Sequence, residues 1–124
     1  NDFTLLPLAV GDATAEEVAE VLNLLWGGPE TLIVISSDLS HYLPYAQARA
    51  MDADTSAAIV ALTQRPIRHE QACGGTPISG LLRAARQHGL RPRLLDLRNS
   101  GDTAGERDRV VGYGAFAFSE GGAA

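Results

Sequence analysis

Three short polar segments carry the residue types that could do chemistry. Ser36-Ser37-Asp38-Leu39-Ser40-His41 sets a carboxylate three residues ahead of an imidazole, a spacing that lets Asp38 orient His41 for proton transfer if the segment takes a helical turn. Cys73-Gly74-Gly75-Thr76 puts the chain's one thiol beside two glycines, ahead of an expected helix start whose free N–H groups and dipole favour a thiolate or cradle an anion. Asn99-Ser100-Gly101-Asp102-Thr103 adds a carboxylate and hydroxyls. A carboxylate, an imidazole, a thiol and hydroxyls are the groups from which a metal ligand set, a proton-transfer pair or a nucleophile is built.

Each of these residues also has a plainer reading. Asp38 suits an Asx-turn after a strand, a lone His41 is commonly solvated, and a lone Cys73 is commonly a small core hydrophobe. Tyr42 and Tyr45 lie near enough in sequence to line a pocket at His41, although aromatic residues after a strand usually pack. His69, between Arg68 and Glu70, belongs in a surface loop, and His88 in the last turn of a helix, where the dipole favours positive charge. Gly112-x-Gly114 leads into an aromatic strand and not a helix, so it is no dinucleotide fingerprint.

The elements that must position these residues alternate. Phe3 to Ala9 reads as a strand. Thr14-Ala15-Glu16-Glu17 fits a capping box, and Val18, Val21, Leu22 and Leu25 form the apolar stripe of the helix it opens. Thr31 to Ser36, with its continuous Leu32-Ile33-Val34-Ile35 run, has the pattern of a strand covered on both faces. A helix over about 45–63 follows, with Ala58, Ile59 and Leu62 on its apolar side, and Pro66 beyond it. Thr76-Pro77 reads as N-cap and first helical residue, Ile78, Leu81, Leu82 and Ala85 as the buried stripe, and Gly89 as the C-terminal cap. Arg93 to Arg98 and Arg109 to Phe118 read as the last two strands, and the Gly-Gly-Ala-Ala end as frayed. The order β-α-β-α-α-β-β predicts a single α/β domain with a mixed, mostly parallel sheet flanked by helices and closed by an antiparallel hairpin. In such a sheet the three polar segments share one edge.

Composition narrows the function. All 10 basic residues are Arg, and against 15 acids they leave a net charge of -5, which argues against a nucleic-acid partner. No apolar run approaches the ~20 residues of a membrane span. The single cysteine excludes an internal disulfide and a Cys-x-x-Cys pair, so a cytoplasmic, reducing setting is expected. The 124 residues, 45% hydrophobic, suffice for one core.

Read together, Val34-Ile35-Ser36-Ser37-Asp38-Leu39-Ser40-His41-Tyr42, Ala72-Cys73-Gly74-Gly75-Thr76-Pro77-Ile78, Asn99 to Thr103 and Val110-Val111-Gly112-Tyr113-Gly114 resemble the Memo family, whose prokaryotic members are called AmmeMemoRadiSam system protein B. The resemblance spans the chain but only the C-terminal half of a family member. It implies a fold similar to class III extradiol dioxygenases, non-haem iron enzymes that open catechol-type rings. It also implies a pocket in which a cysteine matching Cys73 is a metal ligand beside two histidines of the N-terminal half, with Asp38 and His41 placed like acid/base groups. Iron or copper suits such an imidazole and thiolate set, and the chain alone is expected to hold no metal. An AMMECR1-like protein and a radical SAM protein are the implied pathway partners. The alternative is a non-catalytic scaffold that binds a peptide or protein through the same cleft. A thiol hydrolase built on Cys73 and His41 is the weaker third reading.

Overall fold

A computed structural model describes residues 2–103 and 105–121. Along them run helix α1 (Ala15–Leu24), strand β1 (His41–Leu43), helix α2 (Tyr45–Val60), helix α3 (Gly75–His88), strand β2 (Leu90–Asn99), a 3-10 turn (Ser100–Asp102) and strand β3 (Val110–Glu120). Residues 122–124 of the expected frayed end lie outside the described residues. No described helix is long and apolar enough to cross a membrane.

The α/β class holds, but the sheet is not mostly parallel. It has three strands in the order β1-β3-β2, and both pairings are antiparallel. The expected final hairpin forms and is longer than the apolar pattern suggested, running from Leu90 opposite Glu120 to Asn99 opposite Gly112. The expected strands at Phe3 to Ala9 and Thr31 to Ser36 are absent from the sheet. A buried parallel strand needs a ladder partner and cover on both faces, and among the described residues these segments have neither. Phe3 is 84% and Leu32 86% exposed. Period-two alternation survives in the second segment, where Ile35 leans on the core while Val34 faces out. The polar stretch Ser37 to Tyr42, which reads as a loop, instead runs into the short β1, which pairs His41 with Val111 and Leu43 with Val110.

The helices follow their local signals closely. Thr14 caps α1 with the full reciprocal box, its hydroxyl accepting from Glu17 N–H at 3.1 Å while Glu17 Oε1 accepts from Thr14 N–H at 3.0 Å. The buried face of α1 is Val18, Ala19 and Leu22, with Val21 and Leu25 exposed, because α1 packs on α3 and not on a sheet. Helix α3 begins at Gly75, capped by Gly74, so Thr76 and Pro77 lie in its first turn instead of at its cap. Pro77 lacks a donor where none is needed. Gly89 closes α3 in the left-handed conformation at φ 66°, as expected. Leu39, Ile59, Ile67, Ala72, Ile78 and Leu82 form the core, with Leu97, Phe116 and Phe118 of the hairpin packed against it.

Candidate metal centre

The core fixes the segment that carries Asp38 and His41. Leu39, 3% exposed, is buried between them in sequence, and its N–H donates to Gly112 O at 2.8 Å while Gly112 N–H donates to Ser40 O at 2.9 Å. With Leu39 and Ser40 fastened to β3, the side chains of Asp38 and His41 turn to the outside. Asp38 Oδ2 stands 3.5 Å from His41 Nε2, with the side chains 48% and 34% exposed. The three-residue spacing therefore brings carboxylate and imidazole into ion-pair range, through the strand entry and not through a helical turn.

Cys73 reaches the same place from the other direction. It lies in the turn ahead of α3 and is exposed, not the core hydrophobe of the plain reading. Ser37 ties that turn down: Gly74 N–H donates to Ser37 Oγ at 2.8 Å, and the Ser37 hydroxyl donates to Asp38 O at 2.6 Å. A side chain on Gly74 would bring its Cβ to 2.7 Å from Ser37 Cβ, so glycine is what permits the approach. The thiol itself contacts Ser37 Oγ at 3.7 Å. A Cys–His dyad thus has no hydrogen bond of its own in this arrangement, whereas one donor atom each from Asp38, His41 and Cys73 lies within 4.8 Å of the others.

That donor set fits a transition metal. A metal held at about 2.0–2.3 Å from each donor needs donors within roughly 4–4.5 Å of one another, a little closer than the 4.8 Å that bounds this cluster. Imidazole and thiolate suit iron and copper, and carboxylate suits the harder end of that range. The open face leaves room for further ligands.

Of the three segments expected to converge, two meet and the third stops one strand short. Ser100 Oγ accepts from Val111 N–H at 3.0 Å, and Val111 is the partner of His41 across the sheet. Asp102 faces away, accepting from the Tyr45 hydroxyl and from Asn99 N–H. The Tyr45 bond is the main cause, and the Asn99 bond the second, that hold the Asp102 carboxyl below the ordinary carboxylate range. The same bond pushes the Tyr45 phenol up. Tyr42 stays beside the site, its ring 5.6 Å from that of His41 and under the Arg109 guanidinium at 5.0 Å. Tyr42 also has φ 64°, a left-handed backbone that costs a non-glycine residue on the order of 1–2 kcal/mol and persists where surrounding contacts over-determine it. His69 is in an exposed turn beside the Arg68–Glu70 ion pair, and His88 closes α3, stacked on Trp26. Neither joins the cluster.

The sequence reading missed Asp52. This α2 carboxylate is 3% exposed and accepts from Ser40 N–H at 3.0 Å. The available signal was the helical spacing of Ala48, Asp52, Thr55 and Ile59, which hydrophobicity alone does not register as a buried face.

Comparison with known proteins agrees with the motif resemblance. A family model described as Memo-like protein matches residues 1–117. A MEMO1 family protein of Methanosarcina mazei is 34% identical over 128 residues, covering 94% of this chain and 48% of the relative. Those of Aeropyrum pernix and Archaeoglobus fulgidus are 33% and 34% identical, covering 93% and 95% of this chain and 45% and 49% of the relatives. The chain spans about half the length of the curated relatives it matches.

Proposed function

Because the chain belongs to the Memo-like family, we propose that Asp38, His41 and Cys73 form one wall of a non-haem metal centre of dioxygenase-like character, with iron or copper as its metal. The observation that supports this most is the meeting of three chemically different donors within 4.8 Å, from two segments far apart in sequence. Cys73 serves as a thiolate ligand, and the rest of the ligand set, two histidines by the family resemblance, comes from outside these 124 residues. When bound, the metal supplies Lewis-acid and redox chemistry at the open face of the cluster. His41 accepts or donates a proton at its ring nitrogen, and Asp38, 3.5 Å away, orients the ring. A cytoplasmic location and a working association with an AMMECR1-like protein and a radical SAM protein complete this reading.

Elemental analysis for iron and copper, in the protein at its natural length and in Cys73→Ala, tests it. The variant is expected to lose more than about tenfold in affinity, since changes beyond the ligands alone cost about 10–100-fold. Equal metal content in both proteins removes Cys73 from the centre.

A second reading, a non-catalytic module that binds a peptide or protein, draws support from the apolar side chains of Phe3, Leu5, Leu6, Leu32 and Val34, all more than half exposed. In that case a His41→Ala, Cys73→Ala double variant still binds the AMMECR1-like partner at wild-type affinity. Loss of that binding places recognition in the polar cluster instead.

A further inference from the structure

Asp38 and His41 sit at the two ends of a four-residue segment whose middle is clamped on several sides. Leu39 is sunk in the core, its N–H bonded to Gly112 O, and Ser40 O accepts from Gly112 N–H. The Ser40 N–H turns the other way, into α2, and is taken up by Asp52 Oδ1 at 3.0 Å. Ser40 is wholly buried, so without that acceptor its N–H would be a buried, unpaired donor. Gly112 completes the fit: a Cβ at that position would stand 2.0 Å from Asp52 Oδ2, so strand β3 has no side chain where the carboxylate passes. Asp52 also lines a cavity of about 120 Å³ that it shares with Arg49, Arg98 and Asp102, so two guanidinium groups and a second carboxylate border the same chamber.

We propose that Asp52 is a positioning residue for the metal centre: by holding Ser40 N–H from helix α2, it sets where Asp38 and His41 stand relative to Cys73. This rests on the metal-centre reading given above. A carboxylate buried in a helix is costly to keep, and what this one holds is the backbone directly before His41. Tyr42, on the other side of His41, is the residue in the left-handed conformation, so His41 lies between a clamped residue and a strained one. Releasing the clamp lets that strain relax by moving His41.

The test uses the protein at its natural length, with copper(I) as the probe, in Asp52→Asn, Asp52→Ala, Cys73→Ala and, as a core control, Ile59→Val. Asn keeps an acceptor at the Oδ1 position, so Asp52→Asn is expected to bind copper within about threefold of wild type, whereas Asp52→Ala, which frees the two groups beside the Cys73 ligand, loses about tenfold or more, in line with the usual cost of disturbing the groups that surround a metal's ligands. Ile59→Val, which trims the core by one methyl group and leaves the Asp52–Ser40 hydrogen bond in place, is expected to leave affinity within about threefold of wild type. Independently of any metal, nuclear Overhauser contacts between the His41 ring and the Cys73 β-protons are expected in wild type and Asp52→Asn and lost in Asp52→Ala. If Asp52→Ala does not fold, Asp52→Ser replaces it with a side chain too short to reach Ser40. Wild-type copper affinity and wild-type contacts in Asp52→Ala overturn the proposal, as does a loss in Asp52→Asn or Ile59→Val equal to that in Asp52→Ala. Unchanged affinity in Cys73→Ala instead overturns the metal reading, and the ring contacts then decide the role of Asp52 by themselves.

Discussion

Cys73 owes its exposure to the residue after it. Gly74 lets the turn before α3 rest against Ser37, and that contact carries the thiol toward His41. In Gly74→Ala the new Cβ meets Ser37 Cβ at 2.7 Å, and the turn must lift. The expected result is a loss of about 1–3 kcal/mol, the usual cost of overpacking, read as a lower urea midpoint at constant slope, together with weaker copper binding. A variant with the wild-type midpoint and affinity contradicts this account of the turn. Asp38, His41 and Cys73 were legible in the sequence because each is chemically conspicuous and sits at a boundary between elements. Asp52 was not, because its role depends on Gly112, a residue on a different element with no side chain to betray the contact.

At the scale of elements, Tyr45 at the start of α2 joins Asp102 in the turn between β2 and β3 through a hydroxyl–carboxylate hydrogen bond, with the Arg107 guanidinium 4.2 Å from the ring centroid. The bond favours ionised Asp102 and neutral Tyr45, and the two consequences have opposite signs. Asp102, held below its ordinary 3.8, contributes stability that is complete above that value and is lost as pH falls through the depressed one. Tyr45, raised above its ordinary 10.0, contributes stability that is complete below that value and is lost as pH rises through the raised one. Tyr45→Phe should therefore lower Tm near neutrality and flatten the Tm profile at both its acid and alkaline ends. A variant profile parallel to wild type throughout contradicts the coupling. In the core, Leu82 is fully buried, and Leu82→Ala should cost about 2–5 kcal/mol in chemical denaturation; a loss well below that range means α3 packs less tightly than described.

Helix α1, the two hairpin strands and the Gly89 cap were legible because their signals are local: a reciprocal cap, two short apolar runs in succession, a glycine at the helix end. The sheet's direction was not. Parallel pairing is a long-range property, and Leu32 to Ile35 has the composition of a covered strand without, among the described residues, a neighbour to pair with. Helix α2 was legible in extent, and Ala58, Ile59 and Leu62 pack on the core as expected; what was not legible is the polar part of its buried face, Asp52, Thr55 and Ser56, because a hydrophobic pattern does not register it.

Over the whole molecule, an ordered centre of α2, α3 and the hairpin carries an apolar margin at residues 3–10 and 32–34, most of whose large side chains face outward. Among the described residues no backbone acceptor serves the amides of 3–10 or 32–36, whereas Leu39 and Gly112 are bonded and buried. Amide hydrogen exchange of this chain at low concentration should be fast in both margins and slow at Leu39, Gly112 and along β2 and β3. Strong protection at 32–36 under those conditions contradicts the absence of a ladder there. If protection instead rises with concentration, the margins are pairing with other copies, as unpaired apolar edges tend to do.

The account depends most on Cys73 holding the metal as a thiolate ligand. Metal-edge X-ray absorption on the natural-length protein loaded with copper or iron addresses that directly, because sulfur scatters differently from nitrogen and oxygen. The predicted result is a sulfur neighbour in the wild-type protein that disappears in Cys73→Ala. A metal surrounded only by nitrogen and oxygen in both proteins contradicts it.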